Sequence, residues 1–559
     1  MFRKLLSYRP ALACALIQGS KMKALHFCLF AMVAGAPCFA QTSLPGTPSL
    51  TIGAEMKGLR FDWEPVAGAS WYQLEIKANE NAEFVQHGDD YDASILSTRY
   101  RFPLHLYFWT PARYRLAACN SAGCTRSAEV PVSSLRRLAV GYFKPAQTVI
   151  GTRFAADTDL SADGRNFVVA APDESIVTSG GPRAGGAIYT FRMPGGSWRQ
   201  RVRLEPSVPP FIEGSNVMNV AISTDGSTVA LGMPNYFHSE FDEQSGEVFV
   251  FQFRPGDRTW ARTRIRAGSR GEFGRWIGLN DAGDTLAIAH GIRSNPSLPP
   301  KIAIYKLVDG VWQPVRDIGD RFGRTEFCGE GVLSADGSTV AESCSEEAVG
   351  TRPARVYVRT HSGTNWTTRV DLPLEMSVTS EFGYGHGAIA IDGTGNTVAA
   401  QVIAARDGPS EVHVFEREEG IYEKEAVLKP GAWRDGTQRS LFGQSISISG
   451  NGAVLAVGDS RDNGLGFGPR AAPLNPGSTP TGAVYVYRYY DDEWWLYNMV
   501  KPNYHPAGAP YHTFGSDVEF SANGVAMIVG ESGESSDAVG IAGGWNNLDA
   551  PGSGAVWLY

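Results

Sequence analysis

A phenylalanine stands ten residues ahead of a turn glycine again and again through the C-terminal three-quarters of the chain. The pairs are Phe154/Gly164, Phe273/Gly283, Phe327/Gly337, Phe442/Gly452 and Phe514/Gly524, and Gly226 and Gly395 keep the rhythm where the phenylalanine is missing or displaced. Successive turn glycines lie 62, 57, 54, 58, 57 and 72 residues apart. A period of this length marks a repeat architecture, in which each unit buries its apolar face against its neighbours.

Each unit carries the same parts. Strand a follows the phenylalanine, as in residues 442–449. A two-residue turn comes next: Asp163-Gly164, Asp225-Gly226, Asp336-Gly337, Asn451-Gly452 or Asn523-Gly524, a strong short hairpin signal. Strand b is an apolar run (228–232, 285–289, 454–458), and a long variable loop leads to strand c (186–191, 246–251, 482–487, 554–559). An outer strand d often opens on tryptophan: Trp198, Trp260, Trp312, Trp366, Trp494. Four antiparallel strands repeated seven times predict an all-β, seven-bladed β-propeller over residues 136–559. The last repeat stops at strand c, while residues 138–145 read as a strand d without its own a, b and c. That strand is expected to complete the last blade and close the ring, leaving no free sheet edge.

The Phe-Gly pairs at 442–443, 514–515 and 273–274, the Ala171-Pro172 and Met233-Pro234 strand ends, and the Gly-Ala-Val-Tyr-Val-Tyr strand at 482–487 resemble the bacterial FG-GAP (integrin α-like) propeller repeats. Many members of that family bind calcium in the a–b turn through Asp-x-Asn-x-Asp-Gly. Here the turns begin at Ser161, Ser223, Ser334, Ser449 and Ser521 and carry one carboxylate or none. Calcium takes six to eight oxygens, so these read as hairpin turns and no metal or other cofactor is expected.

Residues 43–133 are a separate unit. The segments 58–63, 71–76 and 114–119 alternate apolar and polar, the pattern of a small β-sandwich. A tryptophan in the second strand (Trp63), a Tyr-x-Leu strand and the hairpin at 114–124 resemble a fibronectin type III domain, in which Trp63 and Tyr114 would be core residues.

Sixty-four glycines, thirty-three prolines and only 19% charged residues suit short strands and tight turns. A net charge of −8 without a basic cluster argues against nucleic acid or an anionic membrane as partner. Residues 1–40 read as a signal peptide with a functional start at Met22: Lys23, an apolar run to Ala36, then a small-x-Ala ending at Ala40. The mature chain is expected to be extracytoplasmic, without a membrane span, and monomeric. Four cysteines remain after that segment. Cys119/Cys124 flank a hairpin tip and Cys328/Cys344 straddle the turn at Gly337, which favours two disulfides in an exported chain. Four buried thiols or a zinc site are the alternatives, and zinc is disfavoured because the pairs lie in separate units.

The catalytic search finds no His-Glu-x-x-His, Gly-x-Ser-x-Gly or phosphate-binding glycine loop, so no catalytic residue is assigned. His290, Asp459 and Glu531 each stand seven residues after a turn glycine. Strand ends at that slot would gather them at one mouth of the central channel, for a polar ligand or cation. The b–c loops form the second candidate surface, since variable loops on a rigid scaffold commonly carry binding. Tyr236, Phe237 and His238 in one loop, and Trp545, Asn546 and Asn547 in another, would contact protein or glycan; the alternative is that these aromatics plug the loop bases. The expected function is non-enzymatic binding at this face. A hydrolase or lyase acting on extracellular polysaccharide through Asp459 and Glu531, or a structural envelope protein, are the alternatives.

Overall fold

The computed structural model describes residues 43–559 except 107–110, 179–180, 207–216, 239–242, 268–270, 292–300, 320–325, 347–351, 363–364, 368–369, 379–387, 403–409, 431–440, 465, 470–479 and 504–511. The signal-like segment 1–40 therefore lies outside the described residues, as does most of the b–c loop face. No described helix is long and apolar enough to cross a membrane.

Residues 51–131 fold as two facing antiparallel sheets. One orders the strands Thr51–Glu55, Gly58–Asp62 and Ser97–Arg101; the other is centred on Trp71–Lys77 and Arg113–Asn120. Alternation drives this packing: Leu59, Phe61, Tyr72, Leu74, Tyr114 and Leu116 point inward and are buried. Trp63 is also core, and Phe61 meets Tyr114 at 4.8 Å between ring centres.

Beyond Gly141 the chain lays down one antiparallel sheet after another, each in the order a, b, c, d. The innermost strands, Thr158–Leu160, Asn219–Ile222, Ile277–Leu279, Glu326–Leu333, Ile389–Ile391, Ser445–Ile448 and Asp517–Phe520, pack each on the next, and the first packs on the last. The result is a propeller-like, all-β ring. Strand Gly141–Phe143 pairs with Ala555–Leu558, joining the end of the chain to residues more than four hundred positions earlier. The fourth sheet departs from the expected four strands: Asn365–Trp366 forms an additional short strand, so Trp366 does not open strand d there, which is Val370–Val378. Two b–c connections form small hairpins of their own, Ser175–Thr178 with Gly181–Ala184 and Phe237–His238 with Glu243–Gln244.

The phenylalanine period has a packing cause. Phe154, Phe273, Phe442 and Phe514 are buried, and the backbone of one unit's phenylalanine lies against the first glycine of the preceding unit's strand c. At Gly482 (φ 77°) a Cβ would fall 2.1 Å from the Phe514 carbonyl oxygen, and at Gly554 (φ 79°) 1.8 Å from that of Phe154. Only glycine tolerates both the left-handed backbone and the approach. The two repeated motifs are thus halves of one contact between neighbouring sheets.

The a–b turns differ from the two-residue form expected from Asp-Gly and Asn-Gly. That form needs positive φ at both central residues, yet only the glycine has it: φ is 67° at Gly164, 65° at Gly226 and 73° at Gly337. The hairpin instead closes at the serine. The Ser161 carbonyl accepts the Gly164 amide (2.8 Å), its hydroxyl accepts the Asn166 amide (2.9 Å) and donates to Asp163 (2.7 Å). Ser223/Asp225, Ser334/Asp336, Ser449/Asn451 and Ser521/Asn523 repeat this arrangement. The side-chain oxygens thereby satisfy turn amides. Adjacent turns also bond through the backbone, and the Ala522 amide donates to the Ala162 carbonyl (2.9 Å), linking the last turn to the first.

Candidate functional site

Two register positions on the strands a bring acids to the ring axis: the residues seven and five before the turn glycine. They carry Asp157 and Asp159 in the first sheet, Ser445 and Ser447 in the sixth, and Asp517 and Glu519 in the last. In the second to fifth sheets the same positions hold Asn219/Ala221, Trp276/Gly278, Glu330/Val332 and Ala388/Ala390. The innermost strands enclose an axial cavity of about 380 Å³. One side is rich in acceptors, with Asp157, Asp159, Asp517, Glu519 and Ser445; the facing side mixes Trp276, Leu279, Val332 and Ile389 with a fifth acid, Glu330. No lysine or arginine lines it among the described residues.

The carboxylates reach across to the neighbouring sheet. Asp517 accepts the Thr158 amide (2.6 Å) and hydroxyl (2.7 Å), Asp157 accepts the Val220 amide (2.7 Å) and Asp159 the Ile222 amide (2.6 Å). Glu519 accepts the Ser447 hydroxyl (3.0 Å), which itself accepts the Phe520 amide (2.9 Å). These bonds favour the ionised forms but do not prevail. Removal from bulk water, reinforced at Asp157, Asp159 and Glu519 by repulsion from the other acids, pushes Asp517 up to about 6 and Asp159 to about 7. The same causes lift Asp157 and Glu519 well above the usual carboxylate range. The wall therefore holds protons close to neutrality and presents both donors and acceptors.

Asp459 and Glu531 do not line this cavity; both are fully buried. Asp459 accepts the amides of Leu441 (3.1 Å) and Arg461 (3.1 Å). Glu531 accepts the Trp557 indole N–H (2.7 Å) and binds the His512 ring. Burial pushes the His512 imidazole down, but attraction to Glu531 outweighs it and the net shift is upward. His290 is half-buried with its ring against Phe273, at 5.6 Å between centres. The expected convergence of these three residues at one mouth is thus corrected. The last position of strand b points into the sheet-to-sheet packing, where an acid must be paired.

A related device lies three residues further on. Asp462 accepts the Tyr485 hydroxyl (2.6 Å) and pairs with Lys501 (2.7 Å); Glu174 accepts the Tyr189 hydroxyl (2.8 Å) and pairs with Arg203 (2.7 Å). In the last sheet Glu534 pairs with Lys144 (2.6 Å), supplied by the N-terminal strand. Each acid pins the base of its b–c loop onto strands c and d.

Tyr236 is not an exposed loop aromatic: it is 3% exposed and packs on Phe249, with the Arg264 guanidinium 6.0 Å from its ring centre. Trp545 is half-buried with its ring 6.1 Å from that of Trp557, Asn547 is bonded to Asp537 (2.9 Å), and Asn546 is exposed. Phe237 and His238 pair in a short strand with Gln244 and Glu243, and their side chains lie outside the described residues. Plugging of the loop base therefore accounts for Tyr236 and for one side of Trp545. The disulfides Cys119–Cys124 and Cys328–Cys344 are both present, each between residues directly opposite across a hairpin. Glu342 lies close to the second pair, but disulfide sulfurs are not thiolate ligands.

No protein-family model matches the chain, and no curated protein matches it. The FG-GAP and fibronectin type III resemblances accordingly rest on the motifs quoted above. Solved structures similar to it include the Kuenenia stuttgartiensis hydrazine synthase (14% identity, TM-score 0.41, covering 68% of this chain and 93% of that one). A putative 6-phosphogluconolactonase from Bacteroides uniformis (13%, 0.37, 78% and 98%) and an oligogalacturonate lyase in complex with manganese (10%, 0.38, 75% and 95%) are others. At such scores they carry no argument about activity.

Proposed function

We propose that the chain is an exported, non-enzymatic binding protein: a seven-bladed propeller of FG-GAP type, closed by the strand within 138–145 and preceded by a fibronectin type III-like domain. Its ligand is a donor-rich glycan or protein segment, received at the ring axis and the adjoining b–c loop face. The observation that carries this reading is the acceptor wall of the axial cavity. Asp157, Asp159, Asp517 and Glu519 are held together without a lining cation among the described residues, across from Glu330 and the apolar Trp276, Val332 and Ile389. Clustered acids with displaced pKa values in a cavity are costly to fold and mark functional sites more often than structural ones. Seven turn glycines at near-constant spacing and the packing of first on last inner strand support the blade count. Two disulfides and a secretory-type N-terminus support export. The polysaccharide-hydrolase alternative loses its acids, because Asp459 and Glu531 are consumed by internal partners.

The test is a glycan array and cell-surface pull-down with the chain from Gln41, wild type against Asp517→Asn/Glu519→Gln, in calcium and in chelator. A hit lost in the double variant supports the axial site. A hit that the double variant retains refutes it.

A further inference from the structure

A second cavity lies between the sandwich and the a–b turn face of the ring, at about 530 Å³ roomy enough for a bicyclic organic molecule. We propose that it binds a small organic anion, a carboxylate on an apolar body, with Lys57 and Arg165 receiving the charge. The lining holds four cations, Lys57, Arg99, Arg101 and Arg165, against two acids, Glu55 and Asp163. Both acids are already engaged. Glu55 pairs with Arg99 (3.1 Å), and Asp163 accepts the Ser161 hydroxyl (2.7 Å) and the Arg165 amide (2.9 Å). Arg101 donates to the Gly196 carbonyl and to Met193 Sδ (3.3 Å). Among the described residues, Lys57, Arg101 and Arg165 have no carboxylate partner. Phe102, Trp198 and Ile541 supply apolar surface beside them.

Lys57 is rooted for this role. It sits at φ 59° in the turn between the first two strands, its amide donating to Ala139 (2.7 Å) and its carbonyl accepting the Phe102 amide (2.8 Å). Its Nζ donates to the Val525 carbonyl (2.8 Å). Burial, then the charge of Arg101, push its ammonium down to about 7. A bound carboxylate offsets both effects by supplying the missing counter-charge. The charged and titratable groups around it are Glu55, Arg99, Arg101 and His105 from the sandwich and Asp163 and Arg165 from the ring. Burial, then the charge of Lys57, push His105 down to about 3, so the imidazole stays neutral above pH 5. Lys57 is then the group that titrates between pH 6 and 8.5.

The experiment is calorimetric titration of 2-naphthoate into the chain from Gln41, with 2-naphthalenemethanol as uncharged counterpart. One saturable naphthoate site is expected, weakened at least tenfold by Lys57→Met and at least threefold by the exposed Arg165→Gln. Affinity should fall as pH rises from 6 to 8.5 in wild type and stay flat in Lys57→Met. If Lys57→Met does not fold, as judged by near-UV circular dichroism, Arg165→Gln and the pH profile decide. No saturable binding, equal affinity in the variants, or equal binding of the alcohol overturns the proposal. Asp517→Asn/Glu519→Gln should bind naphthoate as wild type does, which separates this site from the axial one.

Discussion

The axial acids make stability depend on pH in a direction opposite to that of paired surface carboxylates. Asp517 titrates near 3.8 when unfolded and near 6 in the folded chain, so between those values the folded state holds the extra proton. Its contribution is complete below pH 3.8, and stability is lost as pH rises through the folded value. Two units at about 1.4 kcal/mol each give a loss of about 3 kcal/mol for this one residue by pH 8. Asp159, displaced to about 7, acts with the same sign, though the two are coupled and their losses do not simply add. His512, raised by Glu531, also loses stability in this direction. Asp225 and Asp336 run the other way: burial raises them, but turn hydrogen bonds win and hold them low. Their contribution is lost only as pH falls below the ordinary carboxylate range, outside this window. Lys57 and His105, both pushed down, act with the opposite sign in this window, so the acids are read from the difference between wild type and variant in urea unfolding at pH 5.5 and pH 8. Asp517→Asn/Glu519→Gln removes two of the acids, keeps an acceptor at each position and leaves His512 untouched. By pH 5.5 about 2 kcal/mol of the Asp517 loss has already occurred, so on going from pH 5.5 to pH 8 the variant should lose about 1–3 kcal/mol less stability than wild type. A double variant that keeps the wild-type pH slope would refute the reasoning.

Gly482→Ala places a Cβ 2.1 Å from the Phe514 carbonyl at φ 77°, so about 3 kcal/mol should be lost to backbone strain and overpacking. The same substitution at Gly420, where nothing lies within 4 Å, should lose only the strain part, and equal urea midpoints for the two would contradict the packing argument. Lys501→Met strands Asp462 in a fully buried site and should destabilise by about 3–5 kcal/mol, whereas adding Asp462→Asn should recover part of that loss. A double-mutant cycle on thermal unfolding reads the coupling. Cys328 and Cys344 are 16 residues apart, so opening that bridge by paired serine substitution should lower stability by about 3 kcal/mol. Loss of two mass units on oxidation, tracked by peptide mass spectrometry, checks the pairing itself.

Much of the architecture is legible along the chain because it rests on local chemistry. Period-two alternation in residues 58–63 and 71–76 sets the faces of the sandwich strands. The repeating phenylalanine, serine and glycine set where each sheet begins and turns. Counting outward from the Gly337 turn places Cys328 and Cys344 within one residue of facing positions, and a β-bulge between Cys328 and Gly331 sets them directly opposite. The acceptor wall was equally present at two fixed offsets before each turn glycine, but which offset faces the axis is a matter of strand twist around the ring. Counting from strand b selected Asp459 and Glu531, whose side chains enter the packing between strands instead.

The amino-acid sequence by itself determined the all-β content, the unit period, the turn positions and which cysteines are neighbours, all of them interactions between near neighbours in the chain. The tertiary structure alone decided which acids share a cavity, which are neutralised by Lys501, Lys144 or His512, and that Lys57 and Arg165 line one cavity. Some of these partners are moderately close in sequence, as His512 and Glu531 are, and others, as Lys144 and Glu534 are, lie hundreds of positions apart. Only packing brings them within hydrogen-bonding or Coulombic range, where burial strengthens each charge–charge interaction and penalises any charge left unpaired.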